Sequence, residues 1–103
     1  MKIFNLISIN LISKKDSELI IVTCMNIKRF LNENNIKKDI LKITDVNAKK
    51  KMNKIIVTIT LGRPGLLIGK GGKTIDDLNG YLADRFKKEV KIKIIESKYI
   101  DYL

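Results

Sequence analysis

The stretch "TLGRPGLLIGKGGKTIDDL", Thr60 to Leu78, decides how this chain is read. Within it, Gly69-Lys70-Gly71-Gly72-Lys73 sets three glycines and two lysines side by side between two apolar runs. Little side-chain bulk beside concentrated positive charge points to phosphate, which two different devices bind with glycine and lysine. One is the nucleotide-hydrolysing loop G-x-x-x-x-G-K-[ST]. Aligning Gly72, Lys73 and Thr74 with its second half puts Leu67 where its first glycine must stand. No later strand ends in an acid suited to magnesium, and the chain is too short for the usual parallel sheet. That reading fails.

The second device uses the whole segment. "PGLLI" forms one helical turn, with Pro64 at the first position, where a missing N–H costs nothing. Gly69–Gly72 then makes a tight turn, and a new helix starts directly after it. A phosphate backbone can approach such a turn closely, meeting the N–H groups and the positive end of the following helix. Lys70 and Lys73 add charge, and Arg63 flanks the site.

The flanks supply the scaffold. "KIIVTITL", Lys54–Leu61, alternates Ile55, Val57, Ile59 and Leu61 with Ile56, Thr58 and Thr60, the period of two of a half-buried strand. "DILKITDV" predicts an earlier strand at Ile40–Val46, with "NAKKKMNK" as a basic loop between the two. Beyond the glycines, Ile75, Leu78, Leu82 and Phe86 recur at three, four and four, an amphipathic helix with Lys87 and Lys88 in its last turn. Gly80 lies inside that helix at a cost of about 1 kcal/mol against alanine, which suggests close packing there. "VKIKIIE" closes the core with Val90, Ile92 and Ile94 on one face and Lys91 and Lys93 on the other.

Upstream, Ser13 or Asp16 offers an N-cap for a segment in which Ile20, Cys24, Ile27 and Leu31 form one helical stripe. "ELIIVT" is β-branched enough to suit a strand in its first half, and "NENN" ends the helix. Residues 2–12 alternate imperfectly, as a short strand or an ordered extension. The start is faintly signal-like but is interrupted by Asn5, Asn10 and serines, so it is read as retained. Domain organisation is thus an extension at 1–16, a domain at 17–96 and a tail at 97–103, where Tyr99 and Tyr102 serve packing or partner contacts.

Bulk properties agree. The 103 residues carry a net charge of +10, the mark of a small protein that meets a polyanion, nucleic acid ahead of an anionic membrane. The excess gathers with the glycines: residues 1–48 have eight Lys/Arg against five acids, and residues 49–103 thirteen against six. Ile, Lys and Asn are abundant, as an AT-rich genome would produce. With no histidine and one cysteine, the usual general base, the commonest metal ligand and any internal disulfide are missing. No enzyme, catalytic residue, metal, cofactor or small-molecule substrate is expected. Cys24 lies in an apolar run and reads as a structural thiol. Asp76 and Asp77 are not a catalytic pair, since helix neighbours point about 100° apart; they complement the helix N-terminus. No apolar run reaches the roughly 18 residues of a membrane span.

Ile68-Gly69-Lys70-Gly71-Gly72-Lys73-Thr74-Ile75 resembles the I-G-x-x-G-x-x-I signature of KH domains, whose GXXG loop clamps about four single-stranded nucleotides. The order helix–strand–strand–helix–helix–strand is similar to the type II KH arrangement, an α+β fold with a mixed three-stranded sheet backed by helices. Within that class, Arg63, Pro64, Gly65, Ile68, Gly69 and Gly72 match the R-P-G-x-x-I-G-x-x-G of the third small-subunit ribosomal protein family. The resemblance covers about residues 17 to 96 and lacks the second domain of the bacterial form. It implies a structural protein of the small ribosomal subunit that contacts ribosomal RNA and neighbouring ribosomal proteins. A shortened or split form in a mitochondrion or other organelle, or in a bacterial-type cytoplasm, would suit the composition. The alternative is a free-standing KH regulator or RNA chaperone, bacterial or phage, acting as a dimer.

On this reading RNA meets Arg63, Pro64, Gly65, Leu66, Leu67, Ile68, Gly69, Lys70, Gly71, Gly72 and Lys73, with secondary phosphate contacts from Lys49, Lys50, Lys51 and Lys54. Leu66, Leu67, Ile68 and Ile75 are candidates for an apolar floor under the bases, though each also suits the core. No aromatic falls in the segment, so base stacking contributes little.

Overall fold

The computed structural model describes residues 14–97. The elements are α1 (Lys14–Glu33), α2 (Lys38–Leu41), β1 (Ile43–Lys51), β2 (Lys54–Leu61), α3 (Pro64–Ile68), a 3-10 turn (Lys70–Gly72), α4 (Lys73–Phe86) and β3 (Glu89–Glu96). Apart from the short α2, this is the expected α+β order. The sheet runs β1-β2-β3, antiparallel between the first pair and parallel between the second. The alternation before Ser13, that residue's capping role and the tail tyrosines lie outside the described residues.

The helical stripe of α1 outweighs its β-branched composition: Ile20, Cys24, Ile27, Phe30 and Leu31 are all buried. Thr23, also buried, donates its hydroxyl to the Leu19 carbonyl at 2.7 Å and so leaves no unsatisfied group. Because α1 begins at Lys14, Asp16 lies inside it and is not its cap. The helix stops where "NENN" predicts. Asn35 takes a left-handed φ of 58°, its N–H reaching Asn32 O at 3.2 Å while that of Ile36 reaches Leu31 O at 2.8 Å. These paired bonds satisfy the last carbonyls, and asparagine tolerates the conformation.

The first strand differs from expectation. Ile40 and Leu41 belong to α2, which ends at Lys42 with a left-handed φ of 54°. The basic stretch is no loop: Asn47–Lys51 continue β1, and only Met52 and Asn53 turn between Lys51 and its partner Lys54. Local polarity argued for a turn, but β2 buries every second residue along its length and its ladder holds whatever lies opposite. Lysine is tolerated on an edge strand because its stem lies along the sheet while its head stays in water.

Helices cover one face of the sheet. Val46 and Ala48 of β1, Ile55, Val57, Ile59 and Leu61 of β2, and Val90 of β3 point into a core completed by α1, Leu67, Leu78 and Leu82. Asn79 donates to Val90 O at 2.9 Å, pinning α4 to β3. Phe30 meets Tyr81 edge-on, ring centres 5.4 Å apart, and Arg85 lies 4.4 Å above the same tyrosine ring. Gly80 is exposed, and a Cβ there would meet nothing within 4 Å, so close packing does not explain it. The helix ends at Phe86, with Lys87 already in the left-handed region.

Candidate nucleic-acid interface

The site grows out of the end of β2. Gly62 N–H donates to Lys42 O at 2.9 Å, Arg63 N–H to Leu41 O at 3.1 Å and Ser97 N–H to Leu61 O at 2.8 Å. These bonds tie the ends of α2, β2 and β3 together directly beneath α3. Pro64 opens α3 at its first turn, as its ring prefers. Five residues later the chain leaves the helix at Gly69, φ 79° and ψ 174°, a combination essentially confined to glycine.

Two kinds of glycine follow from the local geometry. At Gly69 a Cβ would run into Thr74 Oγ1 and sit 2.7 Å from Thr74 Cβ. This residue is needed for packing inside the turn. Gly71 and Gly72 also have positive φ, 63° and 78°, but a Cβ on either would meet nothing within 4 Å. Their bare side faces open space, so a ligand backbone can come into contact there. Gly72 caps α4 without any side-chain bond; the Gly72 and Lys73 N–H groups already donate to Gly69 O and Lys70 O, so an anion would meet the next N–H groups of the first turn.

The charged groups sort themselves around this turn. Lys70 is exposed at its tip. Lys73 reaches Asp77 at 3.1 Å, one helical turn on, with both side chains largely exposed. Such a pair is worth about 0–1 kcal/mol, so Lys73 can exchange its partner for a phosphate at little expense. Arg63 is exposed beside Pro64. Of the candidate floor residues, Leu67 is fully buried and belongs to the core, while Leu66 and Ile68 are 49% and 36% exposed. Ile75 is half-buried against the core. The usable apolar surface is therefore Leu66 and Ile68.

The lysines of the hairpin lie elsewhere. Lys51 and Lys54 stand at the start of β2 and the glycine turn follows its end, about 23 Å away at strand rise. Lys49, Lys51 and Lys54 share the sheet face opposite the helices, while Lys50 alternates to the other side. The second group of lysines is thus set apart from the segment 63–73, in which Leu67 belongs to the core. Lys91 and Lys93 join Lys49, Lys51 and Lys54, through the register of β3, on the face that no described helix covers. Their alternation was visible in the sequence, but their neighbours depend on strand order.

Residues 26–99 match the sequence profile of a family described as KH domain. The chain belongs to the KH domain family. Its element order and mixed sheet are those of the type II form. Relatives include the small ribosomal subunit protein uS3 of Dehalococcoides mccartyi, 35% identical over 54 residues, covering 52% of this chain and 19% of that protein. The proteins of that name from Streptococcus pyogenes and Streptococcus agalactiae are 39% identical over 59 residues, covering 57% of this chain and 27% of theirs. The chain therefore matches only a minor part of the length of these curated relatives.

Among the described residues there is no cluster of three potential metal ligands, and no helix is long and apolar enough to cross a membrane. Burial, reinforced by Asp45, pushes the Cys24 thiol up to about 12. A nucleophilic thiol needs the opposite shift. Cys24 is core.

Proposed function

We propose that this KH domain binds single-stranded RNA across the glycine turn, as a structural component of the small ribosomal subunit contacting its RNA. The observation that carries the reading is the open space over Gly71 and Gly72 at the uncapped start of α4. About four nucleotides lie along α3, the turn and the first half of α4. Phosphates rest on the backbone of Lys70 to Lys73, with the ammonium groups of Lys70 and Lys73 beside them and Arg63 at the flank. Leu66 and Ile68 give the bases an aliphatic floor.

Affinity considerations favour an assembly. Contacts that are mainly electrostatic give dissociation constants of roughly 10⁻⁴ to 10⁻⁶ M at physiological salt, so one small module needs reinforcement from neighbouring proteins and RNA. The ribosomal relatives support that setting, in a bacterial-type cytoplasm or an organelle. Co-sedimentation tests it: the protein should travel with small subunits, and crosslinked RNA should sequence as small-subunit ribosomal RNA. Recovery only in light fractions at low salt, bound to other RNA, would replace this reading with a free-standing regulator.

A further inference from the structure

Among the described residues no helix covers the second face of the sheet, and that face is arranged as if for a second contact. Register places Lys51, Lys54 and Glu89 in one row, Lys49, Ile56 and Lys91 in the next, then Asn47, Thr58 and Lys93. Strands lie about 4.8 Å apart and alternate residues about 6.6 Å apart, so five lysines fall within about 10 by 13 Å. A concavity of about 530 Å³ lies at this end of the face, lined among others by Lys54, Ile56, Lys91 and Lys93. Among the described residues the ion pairs are Lys73–Asp77 and Lys87–Asp84, so none of the five lysines has an acidic partner. Glu89 sits next to Lys54 in register and forms no ion pair with it; Asp45 lies a row beyond Lys93.

Two ordinary explanations fall short. Lysines on edge strands discourage edge-to-edge association, which would account for β1 and β3 but not for Lys54 on the central strand. Coding bias toward lysine would scatter the charge over both faces and would not leave one acid among the five.

We infer that this face is a second RNA-binding surface, gripping the phosphate backbone of the strand that the glycine turn holds or of a segment continuous with it. That RNA is the ligand rests on the proposed function; the surface itself does not use the turn. The two sites lie on one small body, with extents of 32, 30 and 20 Å. A strand of about 20 nucleotides spans about 68 Å even at helical rise, enough to reach both. Lys91 and Lys93 begin the path from the β3 edge, and Lys49, Lys51 and Lys54 continue it across the sheet.

The test uses the whole chain, a uridine tetramer and a uridine 20-mer, with binding followed by fluorescence anisotropy over a salt series. The variant is Lys49→Gln, Lys91→Gln, Lys93→Gln, on exposed positions where the fold has nothing to lose; thermal melts check it, and single Lys91→Gln and Lys93→Gln variants stand in should it melt early. The triple variant should bind the tetramer like the wild type. For the 20-mer, the slope of log affinity against log salt should shrink by about 2, or about 0.7 for each lysine removed. An unchanged 20-mer slope overturns the inference. Failure of the tetramer to bind the wild type would instead count against the glycine turn, while the 20-mer slopes would still report on this face.

Discussion

Replacing Lys70 and Gly71 together by aspartate tests the turn without touching the core. Gly71 has φ 63° and ψ 18°, in the left-handed region that aspartate visits, and a Cβ there meets nothing within 4 Å. The conformational penalty is therefore about 1 kcal/mol, a loss of about 4–8 °C in melting temperature for a domain of this size. The effect on binding is larger. One positive charge becomes negative and a second negative charge is added where phosphates would lie. Unit charges about 4 Å apart in water-like surroundings interact by about 1 kcal/mol, so this three-unit change costs about 3 kcal/mol. That corresponds to roughly a hundredfold weaker binding. Anisotropy with a labelled uridine tetramer at low salt reads it directly, with circular dichroism confirming the fold. A well-folded variant whose affinity stays within about threefold of the wild type would refute the electrostatic reasoning.

Other outcomes follow from the same geometry. Gly69→Ala should destabilise the domain by more than about 2 kcal/mol, because it combines a left-handed residue with a clash against Thr74; denaturant melts check this, and a neutral result would mean that the turn relaxes freely. Leu67→Ala should cost about 2–5 kcal/mol of stability, whereas Leu66→Ala should leave stability within about 0.5 kcal/mol and weaken RNA binding; paired melts and binding curves separate core from floor. Cys24 should resist thiol reagents at pH 8 and react once the chain is unfolded. Because its thiol is raised from 9.0 to about 12 in the fold, the stability it contributes is intact below pH 9 and is lost as pH climbs toward 12. The stability gap between wild type and Cys24→Ala should then narrow above pH 9, and a constant gap would contradict the buried, neutral thiol.

The parts of the fold legible in the sequence are those where local pattern and burial agree. Alternation in β2 and the three-four spacing of α4 each leave only one way to bury an apolar face. The glycine turn was legible because its conformation excludes other residues at Gly69. β1 was misplaced because its strand character comes from pairing with β2 and not from its own composition, so the lysines at 49–51 read as a loop. Gly80 misled for the opposite reason: a helix-weakening residue suggested a packing need, yet the position is open. Leu66 and Leu67 could not be told apart by type or spacing. Their difference is an orientation set by where α3 sits on the ends of β2 and β3. The same limit applied to the five-lysine face, which exists only once three strands are in register.

Amide chemical shifts of the labelled protein, followed while a uridine tetramer is added, test the central idea most directly. Shifts should concentrate at the N–H groups of Lys70, Gly71, Gly72 and Lys73 and at Leu66 and Ile68, and should fade as salt is raised. Saturable binding with those amides undisturbed, and the changes confined to other surfaces, would contradict the account.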